Sequence, residues 1–315
     1  MSDTASDYHQ GVGSSAAPRL ALVFVDGVGL APAGPENVLT TAPTPTLRRL
    51  LGGPLVAERL GRVAAGSALA ALDATLGIDG LPQSATGQTA LFTGVNAAEV
   101  VGRHVSAFPG PQLRSLIRRH GLLGRLRAAG QAATFANAYS KSFLGDLETG
   151  EARRSVTTCL VQFGGLEFRA EADLAAGRAV SWDITRELFI ARTGAALAAV
   201  TPFEAGEHLA AVAGRHRLTL FETFLTDLAG HHRRGVTASE AIARVDGLLD
   251  GLTAAAPDDL TVLLTSDHGN IEESSNRLHT RNPVPLLATG PAAERFAGLR
   301  SILEVAPAVV ALLAG

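Results

Sequence analysis

The sequence predicts an α/β fold: a doubly wound, mostly parallel sheet with helices on both faces and a small inserted cap. Three observations predict it. The runs RLALVFVD (19–26) and LTVLLTS (260–266) are nearly continuously apolar instead of alternating, as in strands covered on both faces. Such runs alternate with helical patterns; ASEAIARVDGLLDGLTAAA (238–256), for instance, lies between apolar runs at 217–226 and 260–266. Acids and histidines follow the ends of the strands, where open α/β sheets gather their functional groups.

Residues 1–18 (MSDTASDYHQGVGSSAAP) are small and polar and read as a disordered leader. The core is expected at 19–140 and 201–315. It opens with the strand 19–25. TPTLRRLL then starts a helix, with Thr44 as cap and Pro45 at the first helical position. ALAALDATL (68–76) reads as a second strand, and LPQSATGQTALFTGV (81–95) passes from loop to a helix beginning near Gly87. Residues 111–129 read as one helix with an apolar face of Leu113, Leu116, Leu122, Leu123 and Leu126. QAATFANAY (131–139) is a strand after the Gly130 stop. From about 141 to 200 the strand–helix alternation gives way to mixed, more charged sequence, read as an inserted cap subdomain. After it come a helix at 202–214, a strand at 217–226, the helix at 238–256, strands at 260–266 and 283–290, and a final helix at 301–315.

The 46% hydrophobic content of the 315 residues supports a sizeable core. A net charge of -3 gives no broad attraction to nucleic acid or to an anionic membrane. No run is apolar and long enough to span a bilayer, and the first residues lack the apolar stretch of a secretory signal, so a soluble cytoplasmic protein is expected. Oligomeric state is not readable. The single Cys159 excludes an internal disulfide and a multi-cysteine metal site.

Three strand ends carry the chemistry. The first ends at Asp26. The strand at 217–226 leads into DLAGH, with Asp227 and His231 four residues apart. The strand at 260–266 leads into Asp267-His268, and His279 follows eleven residues after His268. Each has a plainer reading: an Asp-Gly turn, a helix cap, a capped loop. Together they are a donor set for divalent transition ions. Asp-x-x-x-His puts both side chains on one face if a helical turn begins there. In PQSATGQ (82–88), Ser84 or Thr86 offers a hydroxyl near a helix start, as a nucleophile or as a cap.

The ordered set VDGVG, TPTL, QSATGQ, DLAGH, SDHGN and HTRNPVP resembles the alkaline phosphatase superfamily of two-metal phosphoryl-transfer enzymes, most nearly cofactor-independent phosphoglycerate mutase and phosphopentomutase. The likeness covers roughly 19–105 and 215–290. It implies a nucleophile three residues before a Gly, which selects Ser84 over Thr86. It implies one metal on Asp227, His231 and His279, and another on Asp26, Asp267, His268 and the Ser84 oxygen. The mixed Asp/His donors admit Mn²⁺ or Zn²⁺. A small phosphorylated substrate follows, with hydrolysis of a phosphomonoester or phosphodiester favoured by the short insert. A mutase and a non-catalytic metal-binding regulatory protein are the alternatives. The chain departs from the mutases at Gln88, where they have a His, so substrate contacts there are expected to differ. Further candidates for substrate contact are Gln88 itself, His104, Lys141 (the sole lysine) and Arg186.

Overall fold

The computed structural model describes residues 17–233, 235–275 and 277–315. Of the leader expected at 1–18, residues 1–16 lie outside the described residues. The strands of the main sheet are β1 (Arg19–Val25), β2 (Ser67–Leu72), β3 (Ala133–Phe135), β6 (Leu218–Thr223), β7 (Leu260–Thr265) and β8 (Val284–Thr289). Their spatial order is β2-β8-β7-β1-β6-β3, and only β8 runs against the rest. β4 (Ala138–Tyr139) and β5 (Arg169–Ala170) form a separate parallel pair.

β1 shows why its run is apolar throughout. Leu20, Leu22 and Phe24 point into one core and Ala21, Val23 and Val25 into the other, as the two-residue period of a strand requires. The first core is closed by the Ser84–Thr93, Pro111–His120, Leu122–Ala128, Val156–Gly164 and Val305–Ala314 helices, with Phe24 and Phe92 meeting edge to face at 5.4 Å. The second is closed by the Pro45–Leu51, Pro202–Ala213 and Ala238–Ala254 helices. No helix among the described residues is long and apolar enough to cross a membrane.

Several boundaries differ from the sequence reading. The helix expected over 111–129 is two helices, because Gly121 takes an extended conformation (ψ 132°) and breaks the ladder. The strand read at 217–226 stops at Thr223, and Asp227 lies in the first turn of the Leu225–Gly230 helix. The helix expected near Gly87 begins at Ser84. Within 141–200, the Val156–Gly164 helix buries Val156, Cys159 and Leu160 in the first core, while Leu174, Ala179 and Phe189 make a small cluster of their own with Ala138. Asp183 reaches across to accept from the backbone N–H of Leu188, capping the Glu187–Thr193 helix from outside its own turn.

Candidate metal centre

Three parallel neighbours, β6, β1 and β7, end side by side, so the segments that follow them converge. Two groups of donors form there: Asp26, Asp267 and His268, all buried, and Asp227, His231 and His279. In the first, the His268 Nε2 lies 3.3 Å from Asp26 Oδ1, 3.6 Å from Asp267 Oδ2 and 3.0 Å from the Ser84 Oγ. In the second, the Asp227 Oδ1 lies 3.4 Å from His231 Nε2 and 3.5 Å from His279 Nε2. The helical turn beginning at Asp227 is what brings His231 onto the same face. The groups adjoin through the stacked rings of His268 and His279, whose centroids are 3.7 Å apart.

The hydrogen bonds around these groups test whether a cation fits. The Nδ1 of His231 sits 2.8 Å from the Arg277 carbonyl, and the Nδ1 of His279 sits 2.8 Å from the Pro82 carbonyl. A carbonyl only accepts, so both rings carry their proton on Nδ1. Their Nε2 atoms then face each other at 3.1 Å beside a carboxylate, an arrangement that needs a proton or a cation between them. In the other group, both oxygens of Asp267 and the Asp26 Oδ1 are buried without a hydrogen-bond partner among the described residues. Bare buried carboxylate oxygens cost several kcal/mol each if ionised and unpaired, on the order of 3–5. A divalent ion removes that cost, so the residues present fit one.

The titration of these groups carries the same message. Burial, then the charges of Asp267, Asp227 and Glu222, raises Asp26 well above the carboxylate range. Burial and Asp227 push Asp267 up to about 7. Burial and the neighbouring His279 press His268 down to about 3, leaving it a neutral donor of a lone pair. Burial would raise Asp227 too, but the hydrogen bond from His279 and the nearby imidazoles hold it at about 2.

Ser84 is the first residue of its helix and shares the space between His268 and the open side. Thr86 is fully buried, and its hydroxyl donates to the Gln83 carbonyl and accepts from the Val105 N–H. The N–H groups of Ala85 and Thr86 are themselves taken by the Val105 carbonyl. Two of the amides that a bare N-terminal anion site would use are therefore already occupied. Gly87 is required by contact: a Cβ there would lie 2.8 Å from the Asp267 carbonyl oxygen. The Gln88 amide donates to Asp26 Oδ2 at 3.2 Å, so it touches the donor groups. The other three substrate-contact candidates have their recorded partners elsewhere. The His104 Nε2 faces the Ile78 carbonyl, Lys141 is exposed at the start of the Lys141–Thr149 helix, and Arg186 packs against His208.

A family model, the Metalloenzyme superfamily, matches residues 18–314. The chain belongs to that superfamily. Solved structures similar to this metalloenzyme include the PH0037 protein from Pyrococcus horikoshii (TM-score 0.58, 14% identity, 94% of this chain and 97% of that one). They also include the alkaline phosphatase of the Antarctic bacterium TAB5 (TM-score 0.52, 14% identity, 94% and 98%) and that of Thermus thermophilus (0.52, 14%, 94% and 91%). At such identity the likeness is one of fold. No match is found among curated proteins.

Two acids escaped the sequence reading. Glu222, inside β6, is buried, accepts from Thr157 Oγ1 at 2.7 Å, and is raised to about 7 by burial. Glu272 is 2% exposed and accepts from Gly29 N, Asn270 N, Thr280 Oγ1 and Asn282 Nδ2. These donors lie on the segments following Asp26, His268 and His279, so one carboxylate ties three donor-bearing loops together. A Cβ at Gly269 would fall 2.2 Å from its Oε1, so the loop closes on it too tightly for a side chain. Glu272→Gln keeps the shape but offers an NH₂ in place of an oxygen to a set in which three of the four groups, Gly29 N, Asn270 N and Asn282 Nδ2, can only donate. It is expected to weaken metal affinity by roughly 10–100-fold, read by chelator competition; unchanged affinity would mean that the carboxylate does not position the donors.

Proposed function

We propose that this metalloenzyme transfers phosphoryl groups through a phosphoserine on Ser84 and hydrolyses a phosphomonoester or phosphodiester metabolite. The observation that carries this reading is the Ser84 hydroxyl, 3.0 Å from His268 Nε2 at the edge of the group in which the Asp26 Oδ1 and both Asp267 oxygens lack hydrogen-bond partners among the described residues. Asp227, His231 and His279 would hold one divalent ion, and Asp26, Asp267, His268 and Ser84 a second, of Mn²⁺ or Zn²⁺ type. Such ions supply charge for phosphoryl oxygens and acidify a nearby hydroxyl. The Ser84 Oγ attacks phosphorus in line and the P–O bond to the alcohol breaks. Water then cleaves the ester to Ser84, releasing phosphate when the substrate was a monoester or the remaining monoester when it was a diester, and restoring the Ser84 hydroxyl. Gln88, beside Asp26, is placed to touch a substrate oxygen.

The segment 141–200 is assigned substrate selection. It is tied to the site through Thr157, which donates to Glu222, and through Trp182, stacked at 4.4 Å on Phe224 just ahead of Asp227. The alkaline phosphatases among the similar structures support the hydrolytic reading.

The test is turnover of a panel of phosphomonoester and phosphodiester metabolites with Mn²⁺ or Zn²⁺, following hydrolysis products and isomerised substrate. Release of phosphate from a monoester, or of a monoester from a diester, is expected. An isomer formed without phosphate release makes the protein a mutase. Metal binding with no turnover, even of an aryl phosphate, makes it a non-catalytic metal binder.

A further inference from the structure

A cavity of about 520 Å³ lies away from the metal centre, against the flank of the Pro202–Ala213 helix. Its chemistry comes from Arg169, Arg178, Arg186, His208, Arg215 and His216. None of its lining residues belongs to either donor group. Arg215 and His216 immediately precede β6, whereas Asp227 follows its other end. The cavity and the metal centre therefore adjoin opposite ends of that strand.

The positive charge here is poorly compensated. Among the described residues, the ion pairs of these four guanidiniums reduce to one, Arg178 with Asp173 at 3.0 Å. Arg186 is 5% exposed, yet its guanidinium meets the Ala198 carbonyl and the His208 Nδ1. Arg169 is held by the carbonyls of Phe135 and Arg178 and by Thr134 Oγ1. These neutral acceptors orient the guanidiniums; the carboxylates that act on them, Asp173 and Glu167 on Arg169 and Glu204 and Asp183 on Arg186, do so from beyond ion-pair distance and compensate the charge only in part. The carboxyl end of the Pro202–Ala213 helix supplies roughly half a negative charge, against three guanidiniums without an ion pair. The field is felt locally: burial and Arg186 lower His208, and burial with Arg169 and Arg215 lowers His216 despite its bond to the Val212 carbonyl.

We propose that this cavity binds a small, multiply charged anion of the phosphate class, at a site separate from the metal centre. Guanidiniums held in fixed orientation suit bidentate phosphoryl oxygens. The volume is that of a small-molecule site and exceeds the needs of a lone phosphate, so the fitting ligand carries its phosphoryl groups on a small organic body or on one another.

The probe is inorganic pyrophosphate, titrated calorimetrically into metal-stripped protein and into the Asp267→Ala variant. Stripping removes metal from both donor groups, and Asp267→Ala takes away a ligand of one of them, so binding by the stripped protein does not depend on the phosphoryl-transfer reading. Saturable binding to one site in both is expected. Arg186→Gln is expected to weaken it tenfold or more. Arg186 is buried and its variant risks misfolding, so the exposed Arg215→Glu is the second variant, also expected to weaken binding tenfold or more. Three results would overturn the proposal: no binding by stripped protein, binding lost in Asp267→Ala, or binding that neither arginine substitution in a folded variant weakens.

Discussion

Ser84→Ala is expected to lower turnover of any phosphoester by on the order of 10³-fold or more, the size of effect that follows removal of a covalent nucleophile. That corresponds to about 4 kcal/mol of lost transition-state stabilisation. The substitution removes one oxygen and leaves Asp26, Asp267 and His268 in place, so metal content should change little. Asp267→Ala should lose one metal and nearly all activity, because both its oxygens are buried without a hydrogen-bond partner among the described residues. The pair separates a nucleophile from a ligand. Brief incubation with substrate followed by peptide mapping should put the phosphoryl group on Ser84. Thr86 is the competitor by chemistry, but its hydroxyl is occupied on both sides and fully buried. Label on Thr86, or full turnover by Ser84→Ala, would remove Ser84 from the mechanism.

How much of this was legible beforehand depends on the range of the contacts involved. The metal-donor candidates were readable because each is local to a strand end, and parallel strands bring their ends together whatever lies between them. The Asp227–His231 spacing was readable because a helical turn converts four residues into one face. The start of the Ser84 helix was misplaced by three residues. Its Gln83 cap makes no side-chain bond, and Gly87 looks like a break. The glycine is there for a contact across the fold, the approach to the Asp267 backbone, which no local pattern records.

Glu222 and Glu272 were missed for the same reason. Glu222 stands in a strand run that reads as ordinary β sequence, and its partner Thr157 is 65 residues away. Glu272 looks like a loop acid until the loops after β1 and after His268 are folded onto it. Arg186 drew notice as an arginine in a charged segment; its neighbour across the fold, His208 on the Pro202–Ala213 helix, is a contact that no local pattern records.

The stripped protein is expected to lose stability as pH rises from about 6 to about 8, and metal is expected to reverse that trend. The sign follows from which state holds the protons. Glu222 and Asp267 are raised to about 7 from ordinary values of 4.5 and 3.8, and Asp26 is raised as well. The folded, metal-free chain therefore binds these protons more tightly than the unfolded chain. Their contribution is full below the unfolded values and is lost as pH climbs through about 7. Glu222 alone is worth on the order of 3 kcal/mol across the whole span from 4.5 to about 7, of which about 1 kcal/mol falls between about pH 6 and about pH 8. His268 works the other way. Held near 3 in the fold against 6.5 outside it, it costs stability as pH falls below 6.5, so it offsets the carboxylates in acid and leaves them unopposed above that point. Divalent ions need these carboxylates ionised, so loading strengthens with pH. Each site contributes about 4 kcal/mol at a thousandfold excess over its Kd. Thermal unfolding of chelator-treated and Mn²⁺- or Zn²⁺-loaded protein should show a gap in Tm that widens between about pH 6 and about pH 8. A stripped protein that gains stability over that interval, or a gap that narrows, would mean that the buried carboxylates of this site are neutralised by something other than protons and metal.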